Sequence, residues 1–301
     1  MSLARRILLF PLTRLVIALV LFGVVYLFSS LLIASLVPQQ FVQQLIVVPV
    51  VALAAVGTLI FVGAFIERRP LGAIGLRPGG AGRDLALGFA LGASLISIVV
   101  GVSALAGWYH VTGVAPLEAM PLLALALLYT LLEVVFEETL FRGIVFRILE
   151  EGLGSWLALL LSALLFGLLH LQNPHATLAS GLAIAVEAGV LLAAAYMLTR
   201  SLWLAIGIHC AWNFFEGHVF GASVSGTNGT SFLQSVTNGP QLWTGGSFGP
   251  EAGLVVLVAC FTVGVVLLLL AARRGGVVTP QWLRRITETK HQQQAQPTLP
   301  G

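Results

Sequence analysis

Long apolar stretches recur along the whole chain and constrain its fold more than any other feature. Hydrophobic residues make up 58% of the 301 residues and charged residues only 9%, whereas soluble domains carry about 25% charged residues. Seven or eight stretches are apolar enough to enter a bilayer, and nearly all have the roughly 20 residues that a membrane-spanning helix needs. The sequence therefore predicts an all-α, polytopic integral membrane protein with about eight transmembrane helices. The stretches are Leu15–Val37, Leu45–Ile66, Leu85–Gly107, Pro121–Phe146, Leu157–Leu171, Leu178–Leu198, Leu202–Phe215 and Gly253–Ala272.

The connections between these stretches alternate in charge. Arginines precede the first stretch and occur in every second connection, whereas the connections between them have no Lys or Arg. The positive-inside rule then predicts that both termini are cytoplasmic and that residues 217–250 form an outer-face loop packed over the bundle. Of the 15 basic residues, 14 are Arg, a bias that favours a bacterial inner (plasma) membrane. We expect one transmembrane domain over residues 1–288, with a core at 121–216, and a disordered polar tail at 289–301.

The fourth stretch continues into a segment, Leu131–Glu151, that carries several charges inside an apolar helix. A charge at membrane depth costs at least a few kcal/mol, so each one needs a partner or a function. Glu138 and Arg142 are spaced i and i+4 on one helix face, in the order that favours an ion pair. Glu137 lies about 100° around the helix from Glu138, which leaves its carboxylate free for chemistry. The alternative is that all of these charges hold helices together or lie in the headgroup region.

Two later stretches carry polar groups where the bilayer disfavours them. His170 follows Phe166 by four residues, and Asn213 follows His209 by four residues in the short seventh stretch, where we expect an incomplete or tilted helix. Glu137 and His170 each lie about 16 residues from the turn near residues 152–154, and therefore at similar depth on antiparallel helices. Polar groups in a membrane protein tend to face one interior or cavity, so we expect these groups to share a site.

Such a set of side chains fits two kinds of hydrolysis. A carboxylate with a nearby imidazole can activate water, while a second imidazole and a carboxamide can stabilise an oxyanion. Alternatively, Glu137, His170 and His209 could hold Zn²⁺ with an open position for water. The zinc-protease pattern H-E-x-x-H is absent. Asn is an uncommon zinc ligand and Asn213 lies one turn from His209, so the sequence favours the mechanism without a cofactor.

These motifs resemble those of the CPBP intramembrane proteases, which include the CAAX prenyl endopeptidases and bacterial bacteriocin-processing and self-immunity proteins. The family patterns E-E-x-x-x-R, F-x-x-x-H and H-x-x-x-N/D appear here in the family's order, as EETLFR at 137–142, FGLLH at 166–170 and HCAWN at 209–213. The segments VSG at 224–226 and TGGSFGPE at 244–251 also look like bacterial members. The resemblance extends over about residues 122–215.

The resemblance implies an intramembrane endopeptidase with a buried polar active site. Glu137 and His170 would activate the water, and His209 with Asn213 would form the oxyanion hole. The implied partners are the lipid bilayer and a peptide or membrane-protein substrate; no nucleic acid is expected. The implied supporting residues are Glu138, Arg142 and Phe166.

Two other functions stay open at this point. A catalytically silent membrane scaffold or bacteriocin-immunity protein could keep the same fold and use the site to bind a partner. A transporter could use Glu133, Glu137 and Glu187 as a proton path, although the sequence shows no repeat of the kind common in transporters. The sequence gives no role to Glu133 or Glu187 beyond hydrogen bonding between helices.

Overall fold

Helices make up nearly all of the ordered structure. The computed structural model describes residues 2–283, and the predicted disordered tail lies outside them. The all-α prediction is confirmed, with one small two-stranded sheet. The helices are α1 (Leu3–Leu8), α2 (Pro11–Leu36), α3 (Gln40–Ile60), α4 (Ala81–Leu105), α5 (Met120–Glu138), α6 (Arg147–Leu153), α7 (Ser155–Leu169), α8 (Leu178–Ile184), α9 (Leu191–Thr199), α10 (Trp203–Asn213), α11 (Gln241–Thr244) and α12 (Leu254–Arg273); the strands are β1 (Tyr109–Val114) and β2 (Leu233–Thr237).

Seven helical segments within residues 2–283 are long and apolar enough to cross a membrane. Each corresponds to a predicted stretch, and together they confirm a multi-pass membrane protein. Some join several elements: the fourth runs through α5 and α6, and the sixth through α8 and α9. The segments are Pro11–Leu36, Leu45–Ile66, Ala81–Leu105, Leu117–Leu153, Ser155–Gln172, Leu178–Thr199 and Leu254–Arg273.

The remaining predicted stretch forms α10, which is shorter than the others. Every residue of α10 from Leu204 to Trp212 is buried, because the helix packs against α4, α5 and α9. A π-helical segment, Phe214–Val219, extends it. A helix surrounded by other helices need not match the thickness of the bilayer, since its ends meet protein instead of lipid. This central position also explains how two polar motif residues are tolerated on it.

Glycines allow α4 and α10 to approach at backbone distance. A Cβ atom added at Gly92 would lie 2.2 Å from the carbonyl oxygen of Ile208, and one at Gly88 would lie 2.3 Å from that of Leu204. On the other side of the contact, a Cβ at Gly207 would lie 2.3 Å from the carbonyl oxygen of Leu85. Small residues at helix interfaces are typical of membrane proteins, where close van der Waals packing drives association. This crossing fixes the part of α10 that carries the third motif.

A network of ion pairs ties together the arginine-rich ends of the helices. Glu67, just after the second spanning segment, accepts from Arg14 at 2.8 Å and Arg147 at 2.7 Å, and Glu151 pairs with Arg14 at 2.6 Å and Arg69 at 2.5 Å. Burial raises the pKa of Glu67, but the hydrogen bond and charge of Arg147 and the charges of Arg14 and Arg69 outweigh it, so the pKa falls below its ordinary 4.5. Arginines that the sequence marks as topology signals therefore also stabilise the fold.

The opposite end of the bundle carries the sheet and a long loop. β1 and β2 pair antiparallel from Tyr109 opposite Thr237 to Val114 opposite Leu233, with a register shift between Val111 and Gly113. The hydroxyl of Tyr109 donates to the carbonyl oxygen of Phe220 at 2.6 Å. Sequence reasoning did not predict this sheet, because both strands lie in short polar connections without long alternating patterns. The sheet attaches the loop over residues 217–250 to the connection after α4.

Four π-helical segments occur in the described part of the chain, at Phe61–Ile66, Thr139–Phe146, Ala185–Val190 and Phe214–Val219. The last three each adjoin or contain residues of the motif region. Such widened turns are rare and appear often at functional sites. They mark the place where the polar motif residues meet.

Candidate active site

The three sequence motifs meet at one buried cavity. A cavity of about 140 Å³ is lined by five of the predicted site residues, Glu137, Phe166, His170, His209 and Asn213. Space of this size holds several water molecules. Because α5, α7 and α10 each contribute to its wall, residues up to 76 positions apart come together here.

The remaining two predicted residues, Glu138 and Arg142, lie behind this wall as a buried ion pair. One guanidinium nitrogen of Arg142 donates to Glu138 Oε1 at 2.8 Å, and the two side chains are 3% and 0% exposed. The other terminal nitrogen of Arg142 donates to the carbonyl oxygen of Ala188 at 2.9 Å. Glu138 Oε1 also lies 2.9 Å from His209 Nδ1. The pair therefore connects α5 to α10 and to the segment after α8.

Hydrogen bonds fix a proton on Nδ1 of both histidines and leave Nε2 of each ring in a different environment. His170 Nδ1 lies 2.8 Å from the carbonyl oxygen of Phe166, and a carbonyl can only accept, so Nδ1 carries the proton and Nε2 of the neutral ring has a free lone pair. His209 Nδ1 meets a carboxylate that already accepts from Arg142, so it too is the donor. His209 Nε2 points to Glu137 Oε2 at 3.7 Å. His170 is thus arranged as a base, and His209 is held between two carboxylates.

Glu137 is the acidic motif residue with access to open space. Its side chain is 26% exposed, and its Oε2 atom has no hydrogen-bond partner within residues 2–283. Glu137 and His170 line the polar cavity and also a separate cleft of about 410 Å³. Apolar side chains such as Phe22, Leu140 and Phe141 form most of that cleft. These two motif residues therefore lie at the boundary between the polar cavity and the apolar cleft.

Phe166 holds the other motif side chains at fixed positions. Its ring centroid lies 4.6 Å from that of His170 and 6.2 Å from that of His209. The guanidinium carbon of Arg142 lies 4.6 Å from the same ring centroid, a cation–π contact. Phe166 is 1% exposed. An aromatic ring at this position orients both imidazoles and covers the buried cation.

A comparison with protein-family models identifies this part of the chain. Residues 118–215 match the model described as type II CAAX prenyl endopeptidase, Rce1-like. Over this segment, about a third of the chain, the protein is similar to this endopeptidase family. The match contains all three motifs and confirms the resemblance to the CPBP proteases. No curated protein and no solved structure matches the chain.

The Rce1-like segment does not supply the whole cavity. Val224, Ser225 and Thr227, from the loop after α10, also line it, so the loop covers the site. Ser225 donates from its backbone N–H and its hydroxyl to Glu251 Oε2, each at 2.6 Å. Burial raises the pKa of Glu251, although the Ser225 hydrogen bonds and the nearby histidines partly oppose this. The VSG and TGGSFGPE segments thus meet at the cavity.

The structure places the two glutamates to which the sequence gave no role, and it adds a third. Glu133 and Glu187 line the same cavity, and Glu251 joins them from beyond the Rce1-like segment. The spacing of Glu133, one turn before Glu137, could have indicated a shared face. No local pattern could have indicated Glu187 or Glu251, since both depend on long-range packing.

The side chains as placed do not form a zinc site. Within residues 2–283, no group of three or more His, Cys, Asp or Glu side chains is arranged to hold a metal ion. His170 and His209 each use Nδ1 for a hydrogen bond, and Glu137 Oε2 lies 3.7 Å from His209 Nε2. Both cysteines, Cys210 and Cys260, are buried and unpaired to each other.

Proposed function

We propose that the chain is an intramembrane endopeptidase that hydrolyses a peptide bond with water activated by Glu137 and His170. The observation that supports this most is the convergence of Glu137, His170, His209 and Asn213 on one cavity that can hold water. The family similarity of the segment supports the reaction class. The free lone pair of His170 Nε2 and the unpartnered Glu137 oxygen are the acceptors that a general base needs.

In the proposed reaction, water held by Glu137 and His170 loses a proton to them as its oxygen attacks the peptide carbonyl carbon. The resulting oxyanion accepts hydrogen bonds from His209 Nε2–H and the Asn213 amide. For His209 to donate from Nε2 its ring must carry both protons, which the carboxylates on either side favour. As the carbon–nitrogen bond breaks, the protonated base returns its proton to the leaving amine.

The apolar cleft gives the proposed substrate a route to these groups. Glu137 and His170 line both the cleft and the polar cavity. A hydrophobic peptide segment in the cleft would therefore meet water held in the cavity. Glu138, Arg142 and Phe166 act as positioning residues in this scheme, because each contacts one or both histidines or the ion pair behind them.

The decisive experiment is peptide cleavage by the purified protein in detergent. A mixed library of apolar decapeptides is incubated with the wild type and with Glu137→Gln, and products are read by mass spectrometry. We expect the wild type to cleave and Glu137→Gln to fold normally without cleaving, since the amide keeps the shape but is no base. The exposed Glu118→Gln is the matched control and should retain activity. A folded wild type that cleaves nothing would favour the silent scaffold or bacteriocin-immunity function.

We also propose that the arginine-rich end of the bundle is cytoplasmic and that the membrane is a bacterial inner membrane. The exposed Asn228 lies in the loop at the other end, and Arg274 follows α12 at the arginine-rich end. In intact cells, a membrane-impermeant maleimide should label Asn228→Cys and spare Arg274→Cys. The two native cysteines are buried and should give little background. The reverse labelling pattern would invert the proposed topology.

A further inference from the structure

The cavity has a second group of acidic side chains, from elements other than those that carry the motifs. Glu187, on the π-helical segment between α8 and α9, and Glu251, in the turn before α12, both line it. Glu216 is 0% exposed and lies close enough to interact electrostatically with both. Three carboxyl groups therefore gather in the protein interior, where a buried charge is costly unless it has a partner.

Among the described residues of the cavity wall, the side chains that can carry positive charge are His170 and His209. Within residues 2–283, no Arg or Lys lines the cavity. Arg142 is close in the fold, but its terminal nitrogens donate to Glu138 and to the carbonyl of Ala188. Neither carboxylate oxygen of the fully buried Glu216 has a hydrogen-bond partner among the described residues. Glu251 accepts from Ser225, so in the described part of the chain it is Glu216 that is left without a donor.

The walls next to this acidic group are apolar. Ile184, Ala188, Leu191, Leu192 and Ile208 line the same cavity. A cavity wall with both apolar side chains and carboxylates matches a side chain with a methylene stem and a cationic end. An inorganic cation fits less well, since the described carboxylates do not converge as metal ligands.

We infer that Glu187 and Glu251, with Glu216 beside them, form a subsite that binds a Lys or Arg side chain of the substrate next to the bond that is cleaved. The inference rests on the proposed peptidase function, because it assigns the cation to the substrate. Glu187 and Glu251 are specificity-determining residues in this view. The cavity also contains Glu137 and His170, so a side chain held here places its own backbone near the activated water.

The first test measures binding and does not depend on catalysis. n-Butylamine, which copies the end of a Lys side chain, is compared with n-butanol as a ligand that raises the thermal unfolding midpoint of the detergent-solubilised protein. We expect the amine to raise the unfolding midpoint as much as the alcohol does, but at concentrations at least about tenfold lower. One charge-assisted hydrogen bond provides a factor of this size. Glu187→Gln and Glu251→Gln should each reduce this difference, and the exposed Glu118→Gln should leave it unchanged. Equal effects of amine and alcohol on the wild type would overturn the subsite.

The second test measures cleavage. Peptides that carry Lys or the isosteric, uncharged norleucine at each position in turn are compared, and kcat/KM should favour Lys by at least about tenfold at one position beside the cleaved bond. Glu187→Gln should reduce this ratio. Cleavage with no Lys preference would overturn the subsite and leave the peptidase proposal intact. Amine binding without cleavage of any peptide would overturn the peptidase proposal, and with it the assignment of the cation to a peptide.

Discussion

Replacing Glu138 with Gln tests the central electrostatic feature of the site. The carboxylate is fully buried and accepts from both Arg142 and His209. Removing its charge while keeping its shape leaves the Arg142 cation buried with only neutral acceptors. Breaking a buried ion pair in this way costs about 3–5 kcal/mol. Because Gln can still accept one hydrogen bond, we expect a loss near the lower end, about 3 kcal/mol of unfolding free energy.

The measurement is equilibrium unfolding in mixed micelles, and the matched control is an ion pair whose Arg partner is exposed. Arg83 and Asp84 pair at 3.2 Å, and the Arg83 side chain is 78% exposed, so Asp84→Asn should cost at most about 1 kcal/mol. Glu138→Gln should also lower turnover, since His209 loses the charged acceptor of its Nδ1 proton. If Glu138→Gln and Asp84→Asn change stability equally, the view of Glu138 as the charged partner of a buried cation is wrong.

Three other predictions address the helix crossing, the oxyanion site and the ion network. Gly92→Val should reduce activity and stability, because its Cβ would lie 2.2 Å from the backbone oxygen of Ile208; full activity at wild-type stability would refute the close crossing. Asn213→Ala should lower turnover about 10²–10³-fold, as loss of one oxyanion donor does, and chelators should have no effect on the wild type; zinc lost and regained together with activity would contradict this. The lowered pKa of Glu67 means that its stabilisation is complete above its ordinary pKa of 4.5 and disappears as pH falls through its lower folded value. The thermal unfolding midpoint should therefore fall more steeply between pH 7 and pH 3 for the wild type than for Glu67→Gln.

Features that depend on local spacing could be predicted from the sequence. The spans follow from runs of apolar residues, and the spacing of Glu138 and Arg142 alone predicts a pair on one helix face. The same spacing leaves Glu137 on a different face, and in the structure its Oε2 atom has no hydrogen-bond partner among the described residues. These features need only helix geometry and the cost of charge in the bilayer.

Features that depend on long-range packing could not be predicted in this way. The contact between Glu138 and His209 joins residues 71 positions apart, and no periodicity specifies it. Glu251 appears in the sequence as an ordinary loop acid, yet the fold brings it to the cavity with Ser225 as its donor. The sheet was missed because its strands are short and lie far apart in the chain. Close helix crossings at Gly88 and Gly207 likewise become visible only once the partner helix is known.

Helix geometry explains why the adjacent residues Glu137 and Glu138 have different surroundings in the folded protein. Successive residues on a helix point about 100° apart, so Glu137 and Glu138 cannot serve the same contact. In the structure, Glu138 meets Nδ1 of His209 at 2.9 Å and Glu137 lies 3.7 Å from Nε2 of the same ring. One helix therefore presents two carboxylates to the two nitrogens of one imidazole. The buried carboxylate has Arg142 as a fixed counter-charge, while the other borders the cavity. The two adjacent positions therefore separate a structural carboxylate from one available for chemistry.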